Sequence, residues 1–304
     1  MAKKILFIFN PLSGKGKIKN SLFEIVDKFT DADYDITLYP TKNPDYCERK
    51  VYECAEKYDC VVIAGGDGTL NEAVKGMLSL EPNKRVPIGY IPCGTMNDFA
   101  STNNISPDPI DAIDNIINGE TIPYDIGLFN DRPFIYVAGF GAFTGVSYDT
   151  PQVSKNIFGT AAYFFEGLKS LPKIKGINTK IIIDDKEPID TNASLVMIMN
   201  STSVAGFDFG EFYNEIDIHD GIFEVLIVPK SFSLIDFPGV LARIRNGERE
   251  INGAKMLSAH RVVIKTEEPV KWTLDGEYGG EYTDMTFEVL HNAVEFIGKN
   301  NGGK

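Results

Sequence analysis

A chain of 304 residues, 43% apolar and 24% charged, is long enough for two ordinary domains and rich enough in apolar residues to bury a core, which excludes wholesale disorder. Its net charge of −13 excludes a general nucleic-acid binder, which needs clustered positive charge, and leaves only a local basic patch as a route to an anionic membrane. The cysteines (Cys47, Cys54, Cys60 and Cys93) form no Cys-x-x-Cys pair, and with three histidines they make no zinc pattern; Cys60 and Cys93 read as small core residues and a reduced, cytosolic compartment fits.

The apolar run 5–9, preceded by Lys3 and Lys4 and ended by Asn10-Pro11, is shorter than the ~7 residues a signal-peptide core needs. It reads instead as a strand buried on both faces. Ile18, Leu22, Ile25, Val26 and Phe29 recur at helical spacing, residues 34–39 form a second strand ended by Pro40, and Cys47, Val51, Cys54 and Tyr58 mark a second helix. The run 60–64 is a third buried strand leading into Gly65-Gly66-Asp67-Gly68. Val74, Met77 and Leu78 follow on a helix, 87–91 is a fourth strand ending in Pro92-Cys93-Gly94-Thr95, and Ile110, Ile113 and Ile117 predict a closing helix. This alternation predicts a parallel α/β sheet with right-handed crossovers. No window approaches the ~18 uninterrupted apolar residues of a membrane-spanning helix.

The second half is strand-rich. Segments 122–129, 134–137, 179–183, 195–199, 223–228, 261–265, 270–274 and 286–290 read as strands, interrupted by helices at 160–171 and 234–245. Such density predicts an antiparallel, sandwich-like or barrel-like domain. The expected division is a nucleotide-binding domain over 1–122, a β-rich substrate domain over 123–299 whose last segment is free to return to the first domain, and a frayed tail over 300–304.

Three glycine-rich turns follow three of the N-terminal strands: Asn10-Pro11-Leu12-Ser13-Gly14-Lys15-Gly16, Gly65-Gly66-Asp67-Gly68-Thr69, and Gly94-Thr95-Met96-Asn97-Asp98. In a parallel sheet all three lie at the carboxyl edge, where glycine lets backbone amides approach an anion and each following helix adds its positive dipole end. Singly, each is merely a tight turn; together they favour a nucleotide. No standard fingerprint is met: Gly14-Lys15 is followed by Gly16 where a Walker A loop needs Ser or Thr, and Asn71 stands where a dinucleotide fingerprint needs its third glycine. Asp67 would repel phosphates unless a cation sat between them, which points to magnesium. The plainer alternative is an aspartate bonded to its own turn.

Asn10-Pro-Leu-Ser-Gly14, Gly65-Gly-Asp-Gly-Thr69 with Asn71-Glu72, and Gly94-Thr-Met-Asn-Asp-Phe-Ala100 together resemble the diacylglycerol kinase catalytic superfamily, which includes sphingosine and ceramide kinases. Within it, soluble bacterial diacylglycerol kinases and related lipid kinases are most alike. The resemblance continues through Asp125-Ile-Gly127, Gly139-Phe-Gly141, Asp220-Gly221 and Asp275-Gly-Glu277, so it spans nearly the whole chain. Gly-Gly-Asp-Gly-Thr alone also occurs in NAD kinases. The resemblance implies an α/β ATP-binding domain, a C-terminal antiparallel β-sandwich, and an active site in the cleft between them. It implies ATP contacts from Asn10, Pro11, Leu12, Ser13 and Gly14, from Thr41, from Gly66, Asp67, Gly68, Thr69, Leu70, Asn71 and Glu72, and from Thr95. Asp67 would organise a catalytic Mg2+ and Glu277 would accept the proton of a lipid hydroxyl. A structural magnesium would bind the Asp220 carboxylate and the carbonyls of Asp217 and Ile222, and Asp125 would join an aspartate–water–magnesium network linking the two sites.

The implied function is ATP- and magnesium-dependent phosphorylation of a lipid hydroxyl, diacylglycerol giving phosphatidic acid. The enzyme would be cytoplasmic, meet the inner face of the membrane transiently, bind no nucleic acid, and have homodimeric relatives. Its rivals are an NAD kinase-like enzyme acting on a soluble substrate and a regulator that binds nucleotide or lipid without catalysis. Read without the resemblance, Asp275-Gly276 is a hairpin signal and Glu277 a solvated charge. Lys15, Lys17, Lys169, Lys173 and Lys175, beside the aromatic run Tyr163, Phe164 and Phe165, read either as a lipid-docking rim or as scattered surface lysine. Phe207, Phe209, Phe212 and Tyr213 divide equally between lipid contact and core. Ser101 departs from the family pattern, which has arginine after Asn-Asp-Phe-Ala, so whatever that arginine does is in question here.

Overall fold

A computed structural model of the chain describes residues 2–141, 175–204, 207–208, 219–232, 243 and 248–299. The chain forms two compact units, one made of Met1–Tyr124 with Asn292–Lys304 and the other of Asp125–His291.

The first unit runs β1 (Lys3–Phe9), α1 (Lys17–Asp31), β2 (Tyr34–Pro40), α2 (Tyr46–Cys54), β3 (Cys60–Gly65), α3 (Asp67–Leu78), β4 (Ile88–Pro92), α4 (Asp98–Thr102) and α5 (Pro109–Asn118). The strands are parallel: β1 lies between β2 and β3, and β4 flanks β3. β3 and β4 are buried along their whole length, which is why they read as unbroken apolar runs. The edge strand β2 mixes partly buried and exposed positions. Phe7, Phe29, Val62, Ile91 and Ile113 are in one core cluster between strands and helices. Asp108 caps α5 by accepting from the amides of Ile110 and Asp111, with Pro109 in its first turn. On the other end of the sheet order, Phe296 of the returning segment pairs with Ile88. Its ring packs on Phe99 (centroids 4.4 Å) and Tyr124 (5.2 Å), and Arg85 donates to the carbonyl of Ala293 at 2.7 Å.

β5 (Glu120–Phe129) carries the chain out of this unit. The second unit continues with β6 (Arg132–Phe134), β7 (Val137–Gly141), β8 (Ile177–Ile183), β9 (Ile189–Met199), β10 (Ser203–Val204), β11 (Phe207–Asp208), β12 (Phe223–Pro229), β13 (Glu250–Ile251), β14 (Ala254–Ala259) and β15 (Arg261–Leu274), and β16 (Glu277–Gly298) carries it back. The pairings β13–β14–β12–β9 are antiparallel. β7 and β8 each pair with both β9 and β15, at different stretches, so these strands close on themselves. Inside sit Phe129, Phe140 and Phe287 around Trp272, with centroids 5.4, 5.1 and 5.0 Å from its ring. Burial of each Phe stabilises the unit by roughly 1.5–3 kcal/mol.

The mixed fold, parallel α/β followed by antiparallel β, is the one expected. Three details differ. The expected strand 134–137 straddles the bend between β6 and β7, because the amides of Ile135, Tyr136 and Val137 donate to the Asp275 carboxylate instead of to a ladder. The segments 261–265 and 270–274 are one strand, β15, whose pairing with β16 shifts register between Lys265 and Val270. And α3 begins at Asp67 itself, so the second glycine turn is already the first turn of the helix. The expected helices 160–171 and 234–245 and the tail 300–304 lie outside the described residues, Arg243 alone excepted.

Candidate active site

β1, β3 and β4 end in register, with Phe9 opposite Ala64 and Gly65 opposite Pro92, so the residues that follow share one sheet edge. Backbone bonds tie them: Asn10 N donates to Ala64 O (2.8 Å), Thr41 N to Phe9 O (2.8 Å) and Cys93 N to Gly65 O (2.7 Å). The three glycine turns touch. A Cβ on Gly14 would stand 2.1 Å from the Cys93 carbonyl oxygen, and one on Gly94 would stand 2.7 Å from Gly66 Cα. Gly14 is also left-handed, at φ +54°, so space and backbone both require glycine there.

Asn97 locks the second and third turns together. Its Oδ1 accepts from Gly94 N (2.8 Å), its Nδ2 donates to Gly94 O (3.2 Å), and its own N–H donates to Asp67 Oδ2 (2.9 Å). The buried Tyr90 hydroxyl donates to Gly65 O at 3.1 Å. Burial, with Asp67 next, pushes its pKa well up, so it stays a donor. Asp67 stands in the first turn of α3, where the helix dipole favours a carboxylate.

In the first turn, Asn10 Oδ1 accepts from Leu12 N (2.9 Å), its Nδ2 lies 3.5 Å from Thr69 Oγ1, and Ser13 N donates to Asn10 O (3.2 Å); Pro11 is partly buried and Leu12 exposed. Gly68 and Thr95 are exposed, whereas Thr69 and Leu70 are buried and their amides donate to Gly66 O. Asn71 is partly buried on the same helix, and Glu72 Oε2 accepts from Cys47 N (3.0 Å).

The second unit holds carboxylates. Asp275 and Gly276, at φ 50° and 83°, make the two-residue turn that joins β15 to β16, with Leu274 opposite Glu277. The Asp275 carboxylate accepts the amides of Ile135 (2.8 Å), Tyr136 (3.0 Å) and Val137 (3.1 Å), which pins the turn from below. Glu277 is exposed at the first position of β16. Asp125 is fully buried: Oδ2 accepts from Gly221 N (2.6 Å) and Oδ1 lies 2.9 Å from His291 Nδ1. His260 Nδ1 lies 3.0 Å from Gly221 O, and Asp220 Oδ1 accepts from Ile222 N (2.9 Å). Asp125, Asp220 and Ile222 thus surround one glycine, Gly221, while Asp217 lies outside the described residues.

A family profile, the diacylglycerol kinase catalytic domain, matches residues 4–129. The diacylglycerol kinase of Bacillus subtilis (strain 168) is 34% identical over 282 residues, covering 91% of each chain. The chain belongs to the diacylglycerol kinase family. It is accordingly a phosphotransferase. A crystal structure from Bacillus anthracis, described as a candidate diacylglycerol kinase, matches at a TM-score of 0.81 and 26% identity over 98% of this chain and 95% of that one. Yeast NADH kinase in complex with NADH shares the fold alone, at a TM-score of 0.52 and 13% identity over 99% of this chain and 85% of that one.

Within the first unit, the Cβ positions on Gly14 and Gly94 run into the backbone of the neighbouring turns, so glycine is what lets the three turns pack against one another. Among the described residues no three His, Cys, Asp or Glu side chains gather as a metal site. Asp67, whose Oδ2 accepts from Asn97 N, is the carboxylate of these turns that would hold a magnesium ion if one bound there. Asn97, Tyr90, His291 and Asp275 were not singled out from sequence as site residues. Asn97 lies inside the third glycine turn and Asp275 two residues before Glu277, but Asp125 and His291 are 166 positions apart and no spacing rule unites them. Ser101 is exposed on α4, its amide donating to Asn97 O at 3.0 Å. Of the expected docking residues, Lys175 pairs with Glu268 at 3.2 Å in an exposed contact; Tyr163, Phe164, Phe165, Lys169, Lys173, Phe209, Phe212 and Tyr213 lie outside the described residues. No described helix is long and apolar enough to cross a membrane.

Proposed function

We propose that the chain transfers the γ-phosphoryl group of ATP, with magnesium, to a lipid hydroxyl, that of diacylglycerol, giving phosphatidic acid. The observation that carries this reading is the mutual contact of three glycine turns at one parallel-sheet edge, with the Asp67 carboxylate held among them. Phosphoryl transfer has a loose transition state, so positioning and charge neutralisation dominate. The turns from Asn10 to Gly14, from Gly66 to Asn71 and at Thr95, with Thr41 beside them, would hold the nucleotide through amides and helix ends. Asp67 would hold magnesium, whose chemistry is to neutralise phosphate charge. Glu277, an exposed carboxylate, takes the proton of the attacking hydroxyl as that oxygen bonds to phosphorus. Asp125, with Asp220 and Ile222, supports the Gly221 turn and any metal bound there. Meeting such a substrate implies transient contact with the inner face of the membrane from the cytoplasm, and a homodimer is part of the same proposal.

The test is transfer of labelled phosphate from ATP to a panel of dispersed lipids, with NAD as the control that the shared fold with NADH kinase demands. Label in diacylglycerol and none in NAD is expected. Label in NAD and in no lipid would reverse the proposal.

A further inference from the structure

Glu72 stands in the region the family resemblance gives to ATP, yet its side chain turns toward another helix. Its Oε2 accepts from the amide of Cys47, the second residue of α2, at 3.0 Å. The residue before α2, Asp45, is left-handed at φ 62° and makes no capping bond of its own. A helix start leaves orphan amides that need an acceptor, and Glu72 supplies it from a neighbouring helix. Burial holds the Glu72 carboxyl above the usual carboxylate range, against the opposing pull of the amides of Cys47, Asp45 and Glu48.

The reach depends on close packing. Gly76 lies one turn beyond Glu72 on the same face of α3. A Cβ there would stand 2.4 Å from Glu48 O and 3.0 Å from Val51 Cβ, so only glycine lets α2 and α3 come this near. The connection between β2 and α2 is therefore fastened at both ends, by Thr41 N on Phe9 O at 2.8 Å and by Glu72 at Cys47. Phe9 directly precedes the first glycine turn.

We infer that Glu72 is a positioning residue, which does not touch the nucleotide but clamps the 41–45 connection so that Thr41 stays aligned with the glycine turns. This rests on the reading of the first unit as an ATP site. It predicts that loss of the carboxylate weakens nucleotide binding through Thr41 rather than by removing a ligand.

The experiment compares wild type, Glu72→Ala, Glu72→Gln, Thr41→Ala and the Glu72→Ala/Thr41→Ala double variant by ATP-binding calorimetry, steady-state kinetics and amide hydrogen exchange over residues 45–48. Glu72→Ala should speed exchange there and weaken ATP binding about 5–10-fold, the size of a lost helix cap, with a smaller change in kcat than in KM. Glu72→Gln keeps an acceptor oxygen and should restore most of both. The Thr41→Ala penalty should shrink in the double variant. ATP affinity unchanged in Glu72→Ala would overturn this inference alone, as would Glu72→Gln losing as much kcat as Glu72→Ala, which marks a direct charge role. Wild type failing to bind ATP would overturn the ATP reading as well.

Discussion

In the first unit the groups that matter are mostly backbone: three turns pressed together at Gly14, Gly66 and Gly94, with Asn97 stitching two of them. In the second they are carboxylates, and two of them, the buried Asp125 and the half-buried Asp275, are matched to amides, Asp125 to Gly221 and Asp275 to residues 135–137. One unit brings backbone turns and helix starts together at a sheet edge; the other ties Asp125 and Asp275 to its own amides and leaves Glu277 at the surface. A proton acceptor must keep spare acceptor capacity, so the division of labour follows from where hydrogen bonds are already made.

The contrast can be broken most sharply at Asp67. Asp67→Ala should cut turnover by on the order of 10³-fold while the circular dichroism spectrum stays native, since the side chain acts on charge rather than core. Turnover close to wild type would remove Asp67 from the chemistry. Glu277→Gln comes next: a loss of roughly 10²-fold in single-turnover rate, with an unchanged unfolding midpoint because the group is exposed. If instead the midpoint falls and the rate holds, Glu277 is structural. Asp275→Ala sharpens the distinction from the other side. It strands three amides and should cost about 3 kcal/mol in urea unfolding, part of it recovered by Asp275→Asn, which tolerates the left-handed turn. Gly94→Ala forces the second and third turns apart and should cost roughly 1–3 kcal/mol and weaken ATP binding, read by urea unfolding and calorimetry.

A separate effect is one of pH. Burial pushes the Cys60 thiol up to about 12 and raises that of Cys47 as well. The unfolded chain releases these protons from ~8.5 upward while the folded chain holds them. The stabilising contribution is therefore complete below ~8.5 and drains away as pH rises toward the folded values, at roughly 1.4 kcal/mol per pH unit per thiol. Urea midpoints at pH 8 and pH 10 should show the decline, and Cys60→Ala should flatten it; an equal slope in the variant would clear Cys60 of the effect.

Legibility followed the same division. Strands buried on both faces announce themselves as apolar runs, so β1, β3 and β4 could be placed from sequence, and the glycine turns with them. The start of α3 at Asp67 was masked because glycines at 66 and 68 read as loop rather than as helix entry. In the second unit β15 was cut in two by Thr266, Glu267, Glu268 and Pro269, a polar patch that a register shift absorbs. β14 escaped notice because Ala254–Ala259 has weak strand propensity and is recruited by its neighbour β12. Partners that meet from distant positions, such as His291 with Asp125 or Glu72 with Cys47, leave no periodic trace at all.

The return of the chain to the first unit has a cost during synthesis. Phe99 and Tyr124 pack on each other, but the Phe296 ring that joins them, and the Ala293 carbonyl that accepts from Arg85, come from the far end of the chain. A ribosome must release nearly the entire polypeptide before the first unit gains these last contacts, so its complete core closes late in synthesis.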